Sequence, residues 1–263
     1  MNRFFSTINR WLSLCCLAVT SMIMAGAQAE TTSNRGDAPL PAHSAVYDVL
    51  RRGSKIGEIH VSLSHDERGI WHFDTETVAT ARLARMLRVS AEESAHFVWE
   101  GDRVRMLTYR QVTRGPTRSR FWQHELDWSE RVSRTHTYDG DHLIELEDDM
   151  LDPLTLRLQL AVALADPDQR GNDLSFRVLE RDEIEDQQFL FQAREQLKLD
   201  MGCFDSLRMQ RFRREGSSRN YDSWHSEAFH WMPLRIVQID DGREELEVRL
   251  VETSLEMESN CGV

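Results

Sequence analysis

The stretch YDSWHSEAFHWMPLRI, residues 221–236, brings two histidines, two tryptophans and two serines close together. Histidine pairs are the raw material of zinc sites, and a zinc pair stands two residues apart on a strand or three to four apart on a helix. His225 and His230 stand five apart and flank a turn, with no carboxylate–histidine motif beside them. The stretch therefore reads as two strands and their connecting turn. Trp224 and Trp231 cover the sheet, and Pro233 opens an edge position. Nothing elsewhere resembles a Gly-x-Ser-x-Gly elbow, a phosphate loop or a dinucleotide fingerprint. The acidic run ERDEIED (180–186) lacks the glycine and ligand spacing of a calcium loop, so it reads as a solvated turn. No nucleophile–base pair is defensible from the sequence, so a hydrolase ranks below a non-enzymatic protein. No catalytic residue, metal ligand or cofactor is assigned.

Two clusters of arginine suggest a binding rim. In ARLARMLRVS (81–90), Arg82, Arg85 and Arg88 recur every third residue between Leu83, Met86 and Leu87. A basic amphipathic segment of this kind suits anionic head groups, or simply covers one mouth of a barrel. In RQVTRGPTRSR (110–120), Arg110, Arg114, Arg118 and Arg120 surround a Gly-Pro turn. Arg82, Arg85, Arg88, Arg114 and Arg118 are the candidate rim for a ligand or head group.

The charge balance points away from nucleic acid. The whole chain carries −12, and loss of Arg3 and Arg10 with a leader takes it to about −14. Those arginines precede an apolar run, Trp11 to Met24, that ends in Ala27-Gln28-Ala29. This is the form of a secretory signal peptide cleaved after Ala29, and the run is too short to span a bilayer comfortably. Residues 1–29 are thus the expected signal. Polar, proline-containing residues 30–42 are an expected disordered leader, and 43–263 an expected single β-rich domain. No transmembrane span remains after cleavage, and the expected location is the periplasm of a Gram-negative bacterium. Cleavage leaves Cys203 and Cys261, which in an oxidising compartment are expected to pair.

From His43 onward the chain alternates with period two. KIGEIHVSLS (55–64) sets Gly57, Ile59, Val61 and Leu63 on one face. Segments 44–50, 69–80, 94–100, 102–113 and 119–128 continue the pattern, and SRFWQHELDW puts Trp122, His124, Leu126 and Trp128 together. Asp139-Gly140 and Asp241-Gly242 supply hairpin turns. One segment breaks the rhythm: DPLTLRLQLAVALADP (152–167) has Asp152 to cap a helix, Pro153 at its first position, and apolar residues at helical spacing. Strands then resume at 174–180, 187–193, 195–200, 204–212, 219–226, 232–240 and 244–253. Roughly a dozen strands around one helix, near 152–165, predict a mainly β fold. It is a large curved antiparallel sheet, a barrel or half-barrel.

The order of these segments resembles the exported bacterial family known as domain of unknown function 3108. The matching motifs are Asp152-Pro153-Leu154-Thr155, Gly202-Cys203-Phe204-Asp205, Trp224, and Met232-Pro233-Leu234-Arg235-Ile236, with Gly57 in an opening hairpin. The signature positions are therefore Gly57, Asp152, Pro153, Gly202, Trp224 and Pro233. His230-Trp231, Cys203 and the acidic run near 180–186 depart from the pattern. The resemblance implies an envelope location and a curved β architecture similar in outline to periplasmic lipoprotein carriers. It implies no activity. The expected role is a non-enzymatic protein holding a lipid or other apolar ligand in its sheet, since barrel mouths are common ligand sites. The alternative is an interaction or scaffold module for envelope proteins, using exposed sheet edges.

Overall fold

The computed structural model describes residues 38–80, 90–115, 119–212 and 219–259. The expected signal peptide, most of the leader, Arg82, Arg85, Arg88, Arg118 and Cys261 lie outside the described residues. The end of the expected leader, by contrast, packs on the fold. Leu40 sits between two prolines and is buried in the core, because an apolar side chain at that point finds a place there.

Among the described residues, fourteen strands form one antiparallel sheet. They are β1 (His43–Arg51), β2 (Ser54–His65), β3 (Trp71–Ala79), β4 (Ser90–Glu100), β5 (Arg103–Arg114), β6 (Ser119–Asp127), β7 (Val132–Thr137) and β8 (Gly140–Glu145). The second half contains β9 (Leu174–Glu180), β10 (Glu183–Leu199), β11 (Gly202–Phe212), β12 (Arg219–His225), β13 (Pro233–Asp240) and β14 (Arg243–Thr253). The spatial order runs from β8 down to β1, then from β14 down to β9. Each half is a meander of hairpins, and the halves join where β1 pairs with β14. The sheet is curved and unclosed, and one helix, α1 (Thr155–Ala165), connects the halves.

The helix is apolar on most of its sides, which is the pattern of a helix wrapped by its surroundings. Leu156, Leu158, Leu160, Ala161 and Leu164 are all buried, within one core that includes Tyr47, Phe73, Phe97, Tyr109 and Leu234 from the sheet. The backbone amide groups of Leu154 and Thr155 donate to Asp152 Oδ1 at 2.7 and 2.8 Å, so Asp152 caps the helix start. Pro153 costs nothing there, since that amide would have no helical partner. At the other end Arg170 donates to the Leu164 and Ala165 carbonyls, both at 2.9 Å.

The ends of the sheet come together without a ladder between β8 and β9. Residues 146–152 fill the gap: the Leu151 amide donates to the Arg177 carbonyl at 3.0 Å, and the Leu179 amide to the Leu151 carbonyl at 2.8 Å. Glu147 pairs with Arg177, and Asp139 with Arg181 at 3.0 Å. Other acids just ahead of the helix are ion-paired too: Asp148 meets Arg131 and Asp149 meets Arg103.

Three expectations change. Segments 187–193 and 195–200 are one long strand, β10, because a bulge between Phe191 and Ala193 absorbs the irregularity without breaking the pairing with β11. The acidic run is mostly strand: only Arg181 and Asp182 turn, and Glu183–Asp186 begin β10 with their charges outward or ion-paired. Pro233 opens β13, but that strand is interior, between β12 and β14. A first residue of a strand tolerates the missing amide donor just as an edge does.

Candidate functional site

The concave side of the sheet and the first turns of α1 enclose a cavity of about 300 Å³. Strand alternation decides which side chains reach it. Tyr47, Ile59, Val61 and Phe73 face inward from β1, β2 and β3, and Ile236 and Val248 continue the same wall on the neighbouring strands β13 and β14. Leu156 and Leu160 close it from the helix, with Pro153 beside them and Phe189 on β10. Most of this lining is aliphatic or aromatic.

β12 contributes Tyr221, Ser223 and His225 at successive inward positions. His225 is fully buried, and burial lowers its pKa to about 4. One ring nitrogen, Nδ1, lies 2.7 Å from the Trp231 carbonyl, which only accepts, so Nδ1 carries the proton. Nε2, at 2.8 Å from Ser223 Oγ, then accepts from the serine hydroxyl. This has the form of a nucleophile and its base. A base with a pKa near 4 has little driving force to take a hydroxyl proton at neutral pH, so the pair is a poor engine for acyl transfer. The Trp231 carbonyl is aimed by a tight turn: a short 3-10 helix (Glu227–Phe229) ends in His230 and Trp231, both with positive φ. The Trp231 amide donates to the Ser226 carbonyl at 2.8 Å, and Arg170 lies over the Trp231 ring at 4.3 Å. His225 and His230 thus serve this turn separately. Among the described residues, no group of three or more His, Cys, Asp or Glu is placed to hold a metal.

Tyr47 lies beside His225. Its hydroxyl donates to the Pro233 carbonyl at 2.9 Å, and burial holds the phenol well above its ordinary pKa. The opposite end of the cavity is polar. Gln187 Nε2 donates to Glu180 Oε2 at 3.3 Å. The Arg211 guanidinium lies 3.9 Å from the Glu180 carboxylate and over the Tyr221 ring at 5.8 Å. Arg157, on α1, reaches Glu93 at 3.9 Å.

The cations at the cavity are therefore Arg157 and Arg211, neither of which the sequence reading singled out. Their signals were present. Arg157 is the one cation within an apolar helix, and Arg211 continues the inward alternation of Leu207 and Met209. Arg114 lies on β5, is ion-paired with Glu92, and is not among the residues lining the cavity. The signature positions split between lining and scaffold. Pro153 and Pro233 line the cavity, and Asp152 caps its helix. At Gly57 a Cβ would fall 2.8 Å from the Val78 carbonyl oxygen, so only glycine lets β3 lie this close. Gly202 has a φ of +150° and faces Phe204 and Ser259. Trp224 projects from the opposite face of β12, where Arg235 covers its ring at 4.8 Å and Glu195 accepts from its indole. Cys203 lies on β11, where its amide donates to Ser259 Oγ at 3.1 Å and its carbonyl accepts from the same hydroxyl at 3.0 Å.

No family model matches the chain, and no curated protein does. Among solved structures, it is similar to a beta-barrel-like protein of domain of unknown function DUF1849 from Brucella abortus. That match has 10% identity and a TM-score of 0.54, and covers 81% of this chain and 97% of that one. MucB is also matched, at 10% identity and a TM-score of 0.29, over 81% of this chain and 52% of that one. Identities this low speak to fold alone, and only the first similarity is close enough to do so: the chain has a beta-barrel-like fold.

Proposed function

We propose that this chain is an exported envelope protein that holds an apolar ligand, of lipid character, between its curved sheet and α1, and does no chemistry on it. The observation that carries the reading is the cavity itself. It is about 300 Å³, apolar over most of its wall and polar at one end, which is how small-molecule sites are generally built. The signal-like leader supports export. Among the described residues, no helix is long and apolar enough to cross a membrane. We also carry the resemblance to the domain of unknown function 3108 family as a proposal, supported by the order of its motifs.

The test is to purify the exported protein, extract it with organic solvent, and titrate the emptied protein with a fluorescent acyl probe. The expected result is acyl compounds in the extract, and probe affinity that falls about tenfold when Ile236→Trp fills the cavity. Protein that yields no lipid and binds no probe would overturn the reading.

A second reading, a docking module for envelope proteins, draws on the edge strand β8. Among the described residues no strand pairs with its outer side, and Leu143 on it is 76% exposed. Cross-linking in cells from position 143 favours this reading if it captures one defined protein that Leu143→Lys releases.

A further inference from the structure

The polar end of the cavity contains a buried acceptor that no group among the described residues uses. Gln187 is only 3% exposed and lines the cavity. Its Nε2 donates to the Glu180 carboxylate, and this fixes which way the amide points. The reversed amide would set two acceptors against each other. Oε1 is then buried with no hydrogen-bond partner among the described residues. A buried acceptor left unmet is costly, so the site favours an occupant that brings a donor. The cation at this end, Arg211, already lies 3.9 Å from the Glu180 carboxylate, and Arg157 sits towards Tyr47, 3.9 Å from Glu93. A carboxylate head group entering here would meet the Gln187 oxygen and Glu180 as fellow acceptors.

Resting on the ligand reading above, we propose that this end selects a single-chain amphiphile with an uncharged, hydroxyl-bearing head. The head donates to Gln187 Oε1 while the chain runs along Phe189, Val61, Ile236 and Leu160 towards Phe73. The volume, about 300 Å³, is at the lower limit of small-molecule sites and suits one chain rather than several. The feature is an acceptor that chooses among lipids, where the sheet alone would take any apolar chain.

The experiment compares monopalmitoylglycerol with palmitic acid on the delipidated full-length exported protein, by calorimetry below the aggregation threshold of each. The wild type is expected to bind the glycerol ester about tenfold more tightly, the worth of one buried hydrogen bond. Gln187→Leu keeps the bulk but removes the acceptor, and is expected to bring the two affinities to within about twofold, with palmitate little changed. Equal or tighter binding of palmitate by the wild type overturns the inference, as does a preference that survives in Gln187→Leu. The wild-type comparison decides even if that variant does not fold. If both amphiphiles bind alike, only the head-group inference fails; if neither binds, the ligand reading fails with it.

Discussion

His225 shows how burial turns a reactive residue into a structural one. Its ring is fully enclosed, with both nitrogens engaged by Ser223 and Trp231, and its pKa is lowered to about 4. His124, buried on β6 with Nδ1 2.9 Å from Thr135 Oγ1, is lowered to about 4 by burial alone. Asp152 moves the other way, to about 6, because burial outweighs the two amide hydrogen bonds at its Oδ1. The signs give a pH profile. Between about pH 6.5 and 4 the unfolded chain binds protons at these histidines and the folded chain does not, so stability falls on acidification by roughly 3 kcal/mol per histidine. Asp152 binds its proton more readily when folded, so over about pH 6 to 4 it returns roughly 3 kcal/mol. Asp152→Asn keeps the capping oxygen but removes the titration. Urea unfolding at pH 7, 5.5 and 4.2 is therefore expected to show a steeper acid loss in this variant than in the wild type. Parallel profiles would mean that Asp152 is ionised throughout and that its burial is not what governs it.

At the scale of elements, the helix and the strands were legible for different reasons. The helix announced itself through Asp152, Pro153 and helical spacing, and the strands through alternation bounded by Asp-Gly turns. Segments 187–193 and 195–200 read as two strands because the polar Arg194 and Glu195 interrupt the apolar alternation; only the partner strand shows that a bulge lets pairing continue. The cavity was not legible. Its wall comes from separate strands of both halves of the sheet and from the helix, and sequence alternation says which residues share a face but not how far that face curls. Gln159 illustrates the gap. On a helix wheel it is merely a polar residue, yet in the fold its Oε1 accepts from the Val104 amide at 2.9 Å and its Nε2 donates to the Asp102 carbonyl at 3.0 Å. The side chain thereby clasps α1 to the β4–β5 hairpin. Gln159→Leu is expected to cost about 1–3 kcal/mol by leaving the Val104 amide without its acceptor, and to speed hydrogen exchange at that amide more than at others in β5. An unchanged Val104 exchange rate would show that the clasp contributes nothing to holding the hairpin.

For the whole molecule, the problem is a large sheet whose ends do not pair. The β9 side is protected by Leu151 and by the ion pairs of Arg177 and Arg181, which limits strand addition there. The other half has a different tie. Ser259, beyond the end of β14, reaches back across β13 and β12 to hydrogen-bond both backbone groups of Cys203 at the start of β11. Gly202 makes room for this, since Ser259 Cβ would lie 3.3 Å from any Cβ at that position. The tail is therefore held beside Cys203 two residues before Cys261, and we propose that the two cysteines are bonded in the exported protein. Such a bond would close a loop of nearly sixty residues containing β12, β13 and β14, worth roughly 4 kcal/mol in the loop-entropy view. Unreduced exported protein is expected to present no thiol to an alkylating reagent, and Cys203→Ser to lower stability by up to that amount. Two alkylatable thiols would remove the bond. Cys203→Ser as stable as the wild type would instead mean that Ser259 and the strand ladders already hold the tail. The second outcome would also bear on the ligand, because β12 and β13 supply Tyr221, Ser223, His225 and Ile236 to the cavity wall. If the bond holds that wall, acyl-probe affinity should fall with stability in Cys203→Ser; if the ladders hold it, neither should change.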